Sequence, residues 1–436
     1  MLPDYRVTEV IIVPLFAPSV HLTQPHSMLA HEVLAQLPGR LKFEPVGGTV
    51  GNLTLGRGLS AGVPAYVAIV ENKIASGSLG VKESDKLASL FKVVAAQKAP
   101  LVMYLDSAGA RVSEGLPALG AFRHMYRAAL AMAAAGAPTA VYCGANCYGG
   151  ASMLANLADT RYYANNTRLA MSGPAILAQT AGVSVLDEMF QAMSLSSIGM
   201  QARCKLSLGN LPVALDSMTA PLPITVSLQE RHAELGARLA QIQNSAPATP
   251  LEKVERKDLA KLYPEGHQLS EKDGVMWGEA TYQGAPVSVV GITGGRLLGA
   301  MRAWAVAEMI WKKLAAPPRQ LHLLVDCESH ATTLDDERIM LSAYLADLAC
   351  AIHALGAAGT RVETTVLDKL GGGVYVALCA ASVQVNLLYG AAIQLLPGKA
   401  IASILGEGND AGDGHFEFAE YQKARVAEQE LKLGIV

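Results

Sequence analysis

One pattern of strand, turn and helix occurs twice in this chain, and that repetition limits the available folds more than any other feature. PLVMYLDSAGARVSEG reads as a buried strand ending at Asp106 and then a polar turn with glycine. QLHLLVDCESHATTLDDE reads as the same strand ending at Asp326. A helical run follows each, ALGAFRHMYRAALAMAAAG and IMLSAYLADLACAIHALG. Strand, Gly-rich turn and Ala-rich helix come next: TAVYCGANCYGGASMLANLA against VETTVLDKLGGGVYVALCAA. Each copy closes on a small-residue turn, SGPAIL around Pro174 and LPGKAI around Pro397. Asp106 and Asp326 lie 220 residues apart, Gly150 and Gly372 222, and Pro174 and Pro397 223. So small a drift argues for duplication of one α/β unit.

The predicted organisation is an N-terminal segment (1–39), a first unit (40–230), a linker (231–264) and a second unit (265–436). The linker contains the charged, proline-marked text SAPATPLEKVERKDLAKLYPEG. Strands alternating with helices imply mostly parallel sheets with right-handed crossovers. In such folds chemistry gathers at turns leaving the carboxyl ends of strands, which here are the glycine turns.

Of the 436 residues, 51% are hydrophobic and 17% charged, and the net charge is −3. That content offsets chain entropy and excludes disorder over most of the length. A near-neutral balance without basic blocks argues against nucleic acid as a partner, and so few charges predict a homodimer or larger homo-oligomer. Two stretches carry no formal charge, Ala128–Ala158 and Leu370–Gly398. Both are long enough to span a bilayer, yet Gly, Asn, Gln and Pro interrupt them, so they read as buried βα text rather than membrane. The six cysteines (Cys143, Cys147, Cys204, Cys327, Cys350, Cys379) form no C-x-x-C, which predicts reduced core thiols in a cytoplasmic protein and no zinc ribbon. VIIVPLFA near the start is too short, too acidic in its flank and too broken by Pro14 to read as a signal peptide.

A Gly-rich turn between strand and helix presents backbone N–H groups to something negative. There is no G-x-x-x-x-G-K-[ST], and neither Cys143–Gly150 nor Leu370–Gly373 fits a dinucleotide fingerprint. The alternative ligand is an oxyanion, such as a thioester carbonyl becoming an enolate. Close helix–sheet packing also explains any one such turn, but four at matching places in two copies favour function.

SGSLGVKESDKL, DSAGARVSEG, YGGASMLANLAD and SGPAIL resemble the β subunit of biotin-independent malonate decarboxylase. HATTLDDE with YLADLA, then GGGVYVAL and LPGKAI, resemble its γ subunit. The resemblance implies a single-chain β–γ fusion with two tandem crotonase-like carboxyltransferase domains. It further implies decarboxylation of a malonyl thioester, carried on acyl carrier protein or coenzyme A, to the acetyl thioester. No tightly bound cofactor or metal is implied, and the pantetheine carrier arrives as substrate. Such sites lie where an N-type domain faces a C-type domain, often across a dimer.

The chemistry needs an enolate stabilised as CO2 leaves, a dry pocket, and then a proton. Gly109 and Ala110, with Gly149 and Gly150, are expected to form one oxyanion hole, and Gly372 and Gly373 the other. Two departures from the family pattern stand out: Ala108 where a glycine is usual, its N–H still expected to serve, and Gly371 where a serine is common. Gly371, Arg111 and Tyr148 are expected at the substrate. Arg111 reads equally as a salt bridge to Glu114, and Tyr148 as a core tyrosine. His330 is a candidate to protonate the enolate carbon, or a histidine bonded in a turn. Asp335, Asp336 and Glu337 read as a helix start rather than a metal cluster. Arg123, Arg127, Lys312 and Lys313 are candidate docking residues for an acidic carrier. The absence of A-M-K-M and of a D-S-L site makes any carrier a separate chain. Two rival readings are a biotin-dependent acyl-CoA carboxyltransferase and a non-catalytic scaffold on the same fold.

Overall fold

The computed structural model describes residues 27–183, 187–207, 209–219, 222, 225–242, 252–253, 257–396 and 429–431. The run VIIVPLFA and the turn at Pro397 lie outside the described residues. Among the described residues there are two sheets of the same topology. The first runs, in spatial order, Glu44–Pro45, Leu53–Ser60, Val63–Val70, Leu101–Ser107, Thr139–Tyr148, Thr160–Tyr163 and Asn210–Pro212. The second runs Gln429–Leu431, Gln384–Leu388, Arg361–Gly371, Gln320–Cys327, Ala285–Gly295, Val275–Tyr282, His267–Lys272 and Glu252–Lys253. In each, an antiparallel hairpin leads into parallel strands. A short strand then pairs with the far end of the central one, Arg168–Ala170 in the first sheet and Ala392–Gln394 in the second.

The duplication extends to irregularities. In the first sheet Leu105 pairs Cys143 but Ser107 pairs Cys147; in the second Val325 pairs Val366 but Cys327 pairs Leu370. Both central strands therefore bulge at the same place. The structural register matches Gly149 to Gly372 and Gly150 to Gly373, one residue off the Gly150–Gly372 pairing read from sequence. The drift falls in one step, between the first turn and the central strand.

Every residue of LVMYLDS is buried, as a parallel strand covered on both faces requires. The covering helices are Ala- and Gly-rich because they pack on two sides. Gly115–Ala134 lies against the sheet's own helix Val81–Gln97 and also against Gly372–Cys379 of the other unit. The reciprocal contact, Gly150–Ala155 on Leu341–Ala357, completes a pseudo-two-fold arrangement. One continuous hydrophobic core results, with Phe122, Met153, Leu345 and Val374 among its members.

As far as they are described, the uncharged stretches resolve into strand and helix, and among the described residues no helix is long and apolar enough to cross a membrane. Among the described residues none of the six cysteines forms a disulfide, and five are buried. Helix Ala30–Arg40, placed by sequence at the end of an N-terminal segment, seats Val33 and Leu37 against Val67, Tyr104 and Ala140 of the first sheet. Helix Leu228–Ile242, expected at the start of a linker, bonds both units. Its Arg231 pairs with Asp159 at 2.5 Å, and its His232 reaches Asp347 at 2.8 Å and Glu308 at 2.7 Å.

Candidate active site

The glycine turns of both units open into a single cavity of about 1520 Å³ inside one chain. Ala110, Gly149 and Gly150 line it from the first unit, and His330, Gly372 and Gly373 from the second.

Backbone bonding decides which N–H groups are free. Gly109 donates to Ser107 Oγ at 3.1 Å, Gly149 to the carbonyls of Ala170 and Met171, and Gly372 to Leu395. Ala108 donates to Ser76 at 3.0 Å. These four N–H groups are therefore not oxyanion donors, contrary to the sequence reading. The N–H groups of Ala110 and Gly150 meet no acceptor among the described residues, nor do those of His330 and Gly373. The first cradle is thus Ala110 with Gly150, and the second is His330 with Gly373.

The spent glycines are required for another reason. Gly109 has φ +88°, and a Cβ there would stand 2.9 Å from the Gly150 nitrogen, plugging the cradle. Gly149 and Gly372 share φ +55°, the left-handed region that opens each helix. Ala108 is not in that region, so alanine is tolerated there. A Cβ on Gly150 would meet the Phe122 ring at 2.4 Å, and one on Gly373 the Met171 methyl at the same distance.

Asp106, the strand-ending acid, holds the first bulge by accepting the N–H groups of Ala145 at 3.0 Å and Asn146 at 3.2 Å. Burial nevertheless raises its pKa, and the two N–H bonds pull it back. Leu79 receives and donates across the first turn (Leu79 N to Gly109 O, 2.7 Å; Arg111 N to Leu79 O, 2.9 Å), and Leu298 does the same across the second with Ser329 and Ala331.

The remaining expected residues divide. His330 is 4% exposed, and burial lowers its pKa to about 4, so it is neutral at pH 7. Its Nδ1 stands 3.3 Å from Ser329 Oγ. Arg111 borders the cavity, but its guanidinium is engaged by Glu83, by Glu114 at 2.7 Å and by the Ser78 carbonyl at 2.8 Å. It is a structural cation, with no charge to spare for substrate. Tyr148 lines the cavity; burial pushes its phenol up to about 12 against the pull of Arg168. Gly371 does not line the cavity. It lies in extended backbone where a Cβ would meet the Glu328 carbonyl at 2.6 Å, so the missing serine hydroxyl has no room here.

Two of the four docking cations are corrected. Arg123 is buried and donates to the Cys379 carbonyl at 3.0 Å, and Arg127 donates to Ser382 at 3.2 Å, so both tie the units together. Lys312 pairs with Glu308 at 2.8 Å, and Lys313 donates to Ser288 at 2.6 Å. The acids at 335–337 do begin a helix, capped by Thr333, and two of them reach further. Asp336 accepts the Ala300 N–H at 2.8 Å, and Glu337 accepts that of Ser172 at 2.9 Å. Sequence reasoning missed Ser76, Ser172, Glu328 and Lys369 on the cavity wall. Only the duplication could have pointed to Glu328 and Lys369, by alignment with Ala108 and Asn146.

Two tandem parallel-rich α/β units match the crotonase-like carboxyltransferase fold. Residues 49–195 match the carboxyl transferase domain family. Among curated proteins, the methylmalonyl-CoA carboxyltransferase 12S subunit of Propionibacterium freudenreichii subsp. shermanii is 27% identical over 130 residues, 30% of this chain and 25% of that protein. The chain thus spans about a quarter of the length of the first curated relatives it matches. Among solved structures, transcarboxylase 12S aligns over 91% of this chain and 83% of its own at 19% identity (TM-score 0.36). The Pseudomonas malonate decarboxylase MdcD–MdcE hetero-dimer aligns over 51% of this chain and 100% of its matched chain at 21% identity (TM-score 0.40).

Proposed function

We propose that this protein removes CO2 from a malonyl thioester, presented on coenzyme A or on acyl carrier protein, to leave the acetyl thioester. The observation that supports this most is that two backbone cradles of one construction open into one cavity inside one chain. The thioester oxygen sits at Ala110 and Gly150, the carboxylate at His330 and Gly373. As the C–C bond breaks, its electron pair moves into the thioester and the oxygen gains negative charge. Each well-placed donor there lowers the barrier by ~3–4 kcal/mol. CO2 departs, and the enolate carbon takes its proton from solvent water that enters as the site opens. Leu119, Phe122, Ile176, Val376 and Leu396 on the cavity wall keep water from the carboxylate, which favours its loss.

His330, held neutral, suits a hydrogen-bond donor to the carboxylate it faces better than a store for the proton. Neither a metal nor a covalent nucleophile is needed by this route. A homodimer or larger homo-oligomer is part of the proposal, on the low surface charge alone.

The test is incubation with malonyl-CoA and, separately, malonyl-loaded carrier protein, without biotin or ATP, following the intact thioester mass. Loss of one CO2 on either supports the proposal, and the faster substrate names the carrier. No loss on either overturns it. That outcome favours the second reading, a biotin-dependent carboxyltransferase, which the family match over residues 49–195 supports. Carboxylation of added biotin by a malonyl or methylmalonyl thioester is its positive test.

A further inference from the structure

The two cradles share a backbone and differ in side chains. Ala108, Gly109, Ala110 and Asn146 surround the first, and none is ionisable. Glu328, Ser329, His330 and Lys369 hold the same four places around the second. Among these eight positions the ionisable side chains therefore all lie at one end of the cavity. Lys369 stands on the bulge just before Leu370, half-buried at the wall, and a bulge of this kind re-aims a side chain.

The other charges around the cavity leave it a clear task. Arg111 is neutralised by Glu83 and Glu114, and burial keeps His330 uncharged. Lys369 joins no ion pair among the described residues, and Glu328 offers its carbonyl, not a salt bridge, to Gln394. Glu328 raises the cost of any anion entering this end. An anionic group therefore needs a cation beside it, whereas a neutral acyl group does not.

We propose that Lys369 is the counter-ion for the free carboxylate of the acyl group, and so sets a preference for carboxylated over plain acyl thioesters. This rests on the thioester reading above, but does not require that the carboxylate be lost. A half-buried charge-assisted hydrogen bond is worth ~10- to 100-fold in affinity.

The experiment compares malonyl-CoA with acetyl-CoA as ligands of the wild type, Lys369→Met and Lys369→Arg. Affinity is read as the ligand-induced rise in melting temperature, alongside KM and kcat where turnover occurs. The expected result is a loss of about 10-fold or more for malonyl-CoA in Lys369→Met, with acetyl-CoA changed less than about 2-fold and Lys369→Arg restoring much of the difference. Equal losses for both ligands would assign Lys369 to the carrier or the fold and overturn the proposal, as would no loss at all. If the wild type discriminates through Lys369 yet releases no CO2, the decarboxylase reading falls and the carboxylate site stands. A wild type that binds neither ligand overturns both.

Discussion

Glu337, at the end of a five-residue helix of the second unit, accepts the backbone N–H of Ser172 in the first at 2.9 Å. Both residues are fully buried, and so is Arg203, whose guanidinium stands 3.8 Å from the same carboxylate and donates to the Glu337 carbonyl at 2.8 Å. This contact fixes the Met171–Pro174 wall of the cavity to the opposite unit. Burial lifts the Glu337 carboxyl to about 7, although Arg203 pulls the other way.

Glu337→Ala strands Arg203 in the core and releases Ser172, for an expected loss of ~3–5 kcal/mol in denaturant unfolding. Glu337→Gln keeps an acceptor for Ser172 and loses less. Because the folded pKa lies above the unfolded one, this carboxyl's contribution is complete at acid pH and fades as pH rises through 7. Between pH 5 and pH 8 wild type should therefore lose stability relative to Glu337→Gln, read as the change in the gap between their denaturation curves.

A Cβ on Gly150 collides with Phe122 at 2.4 Å, so Gly150→Ala should cost ~1–3 kcal/mol through overpacking before any effect on chemistry. Adding Phe122→Leu should recover part of that stability. Recovery without any gain in turnover would separate packing from the cradle.

His330→Ala should slow turnover ~100-fold through loss of a hydrogen-bond donor, and His330→Gln, which keeps a neutral donor, should slow it less. With its pKa near 4, His330 should contribute no inflection near pH 6.5 to the kcat/KM profile. An inflection there that vanishes in His330→Gln would return the residue to an ionising role.

Acid lability should come from the buried imidazoles. His322, bonded to Tyr263 at 3.1 Å and Gln320 at 2.8 Å, also falls to about 4 by burial. Both histidines are neutral in the fold but protonate in the unfolded chain near 6.5. Stability is thus held above that pH and lost as pH falls towards 4, by a few kcal/mol per group. Melting temperatures of His322→Gln across pH 7 to 4 should fall less than those of wild type.

Arg123→Ala removes the donor to Cys379 across the units and should lower stability by ~2–4 kcal/mol. Lys312→Ala, on an exposed pair with Glu308, should stay within ~0.5 kcal/mol. Urea unfolding of the two variants distinguishes an interface cation from a solvated one.

The repeat determined most of what could be known from the chain alone: the α/β class and the matched glycine turns. Those follow from local text, because strand burial, glycine spacing and helix periodicity are written in neighbouring residues. Which N–H groups are free was not legible. Gly149 and Ala110 look equally able to donate in sequence, yet Met171 and Ala170 occupy the first and nothing among the described residues occupies the second. Gly371 looked like a lost hydroxyl, and only the Glu328 carbonyl 2.6 Å from its would-be Cβ shows there is no space for one. Arg123 and Arg127 read as surface cations because their acceptors lie some 250 residues away in the other unit. Composition and pattern specify which elements form. Hydrogen bonds and close contacts between distant segments, set only when the two units dock, decide which atoms remain to do chemistry.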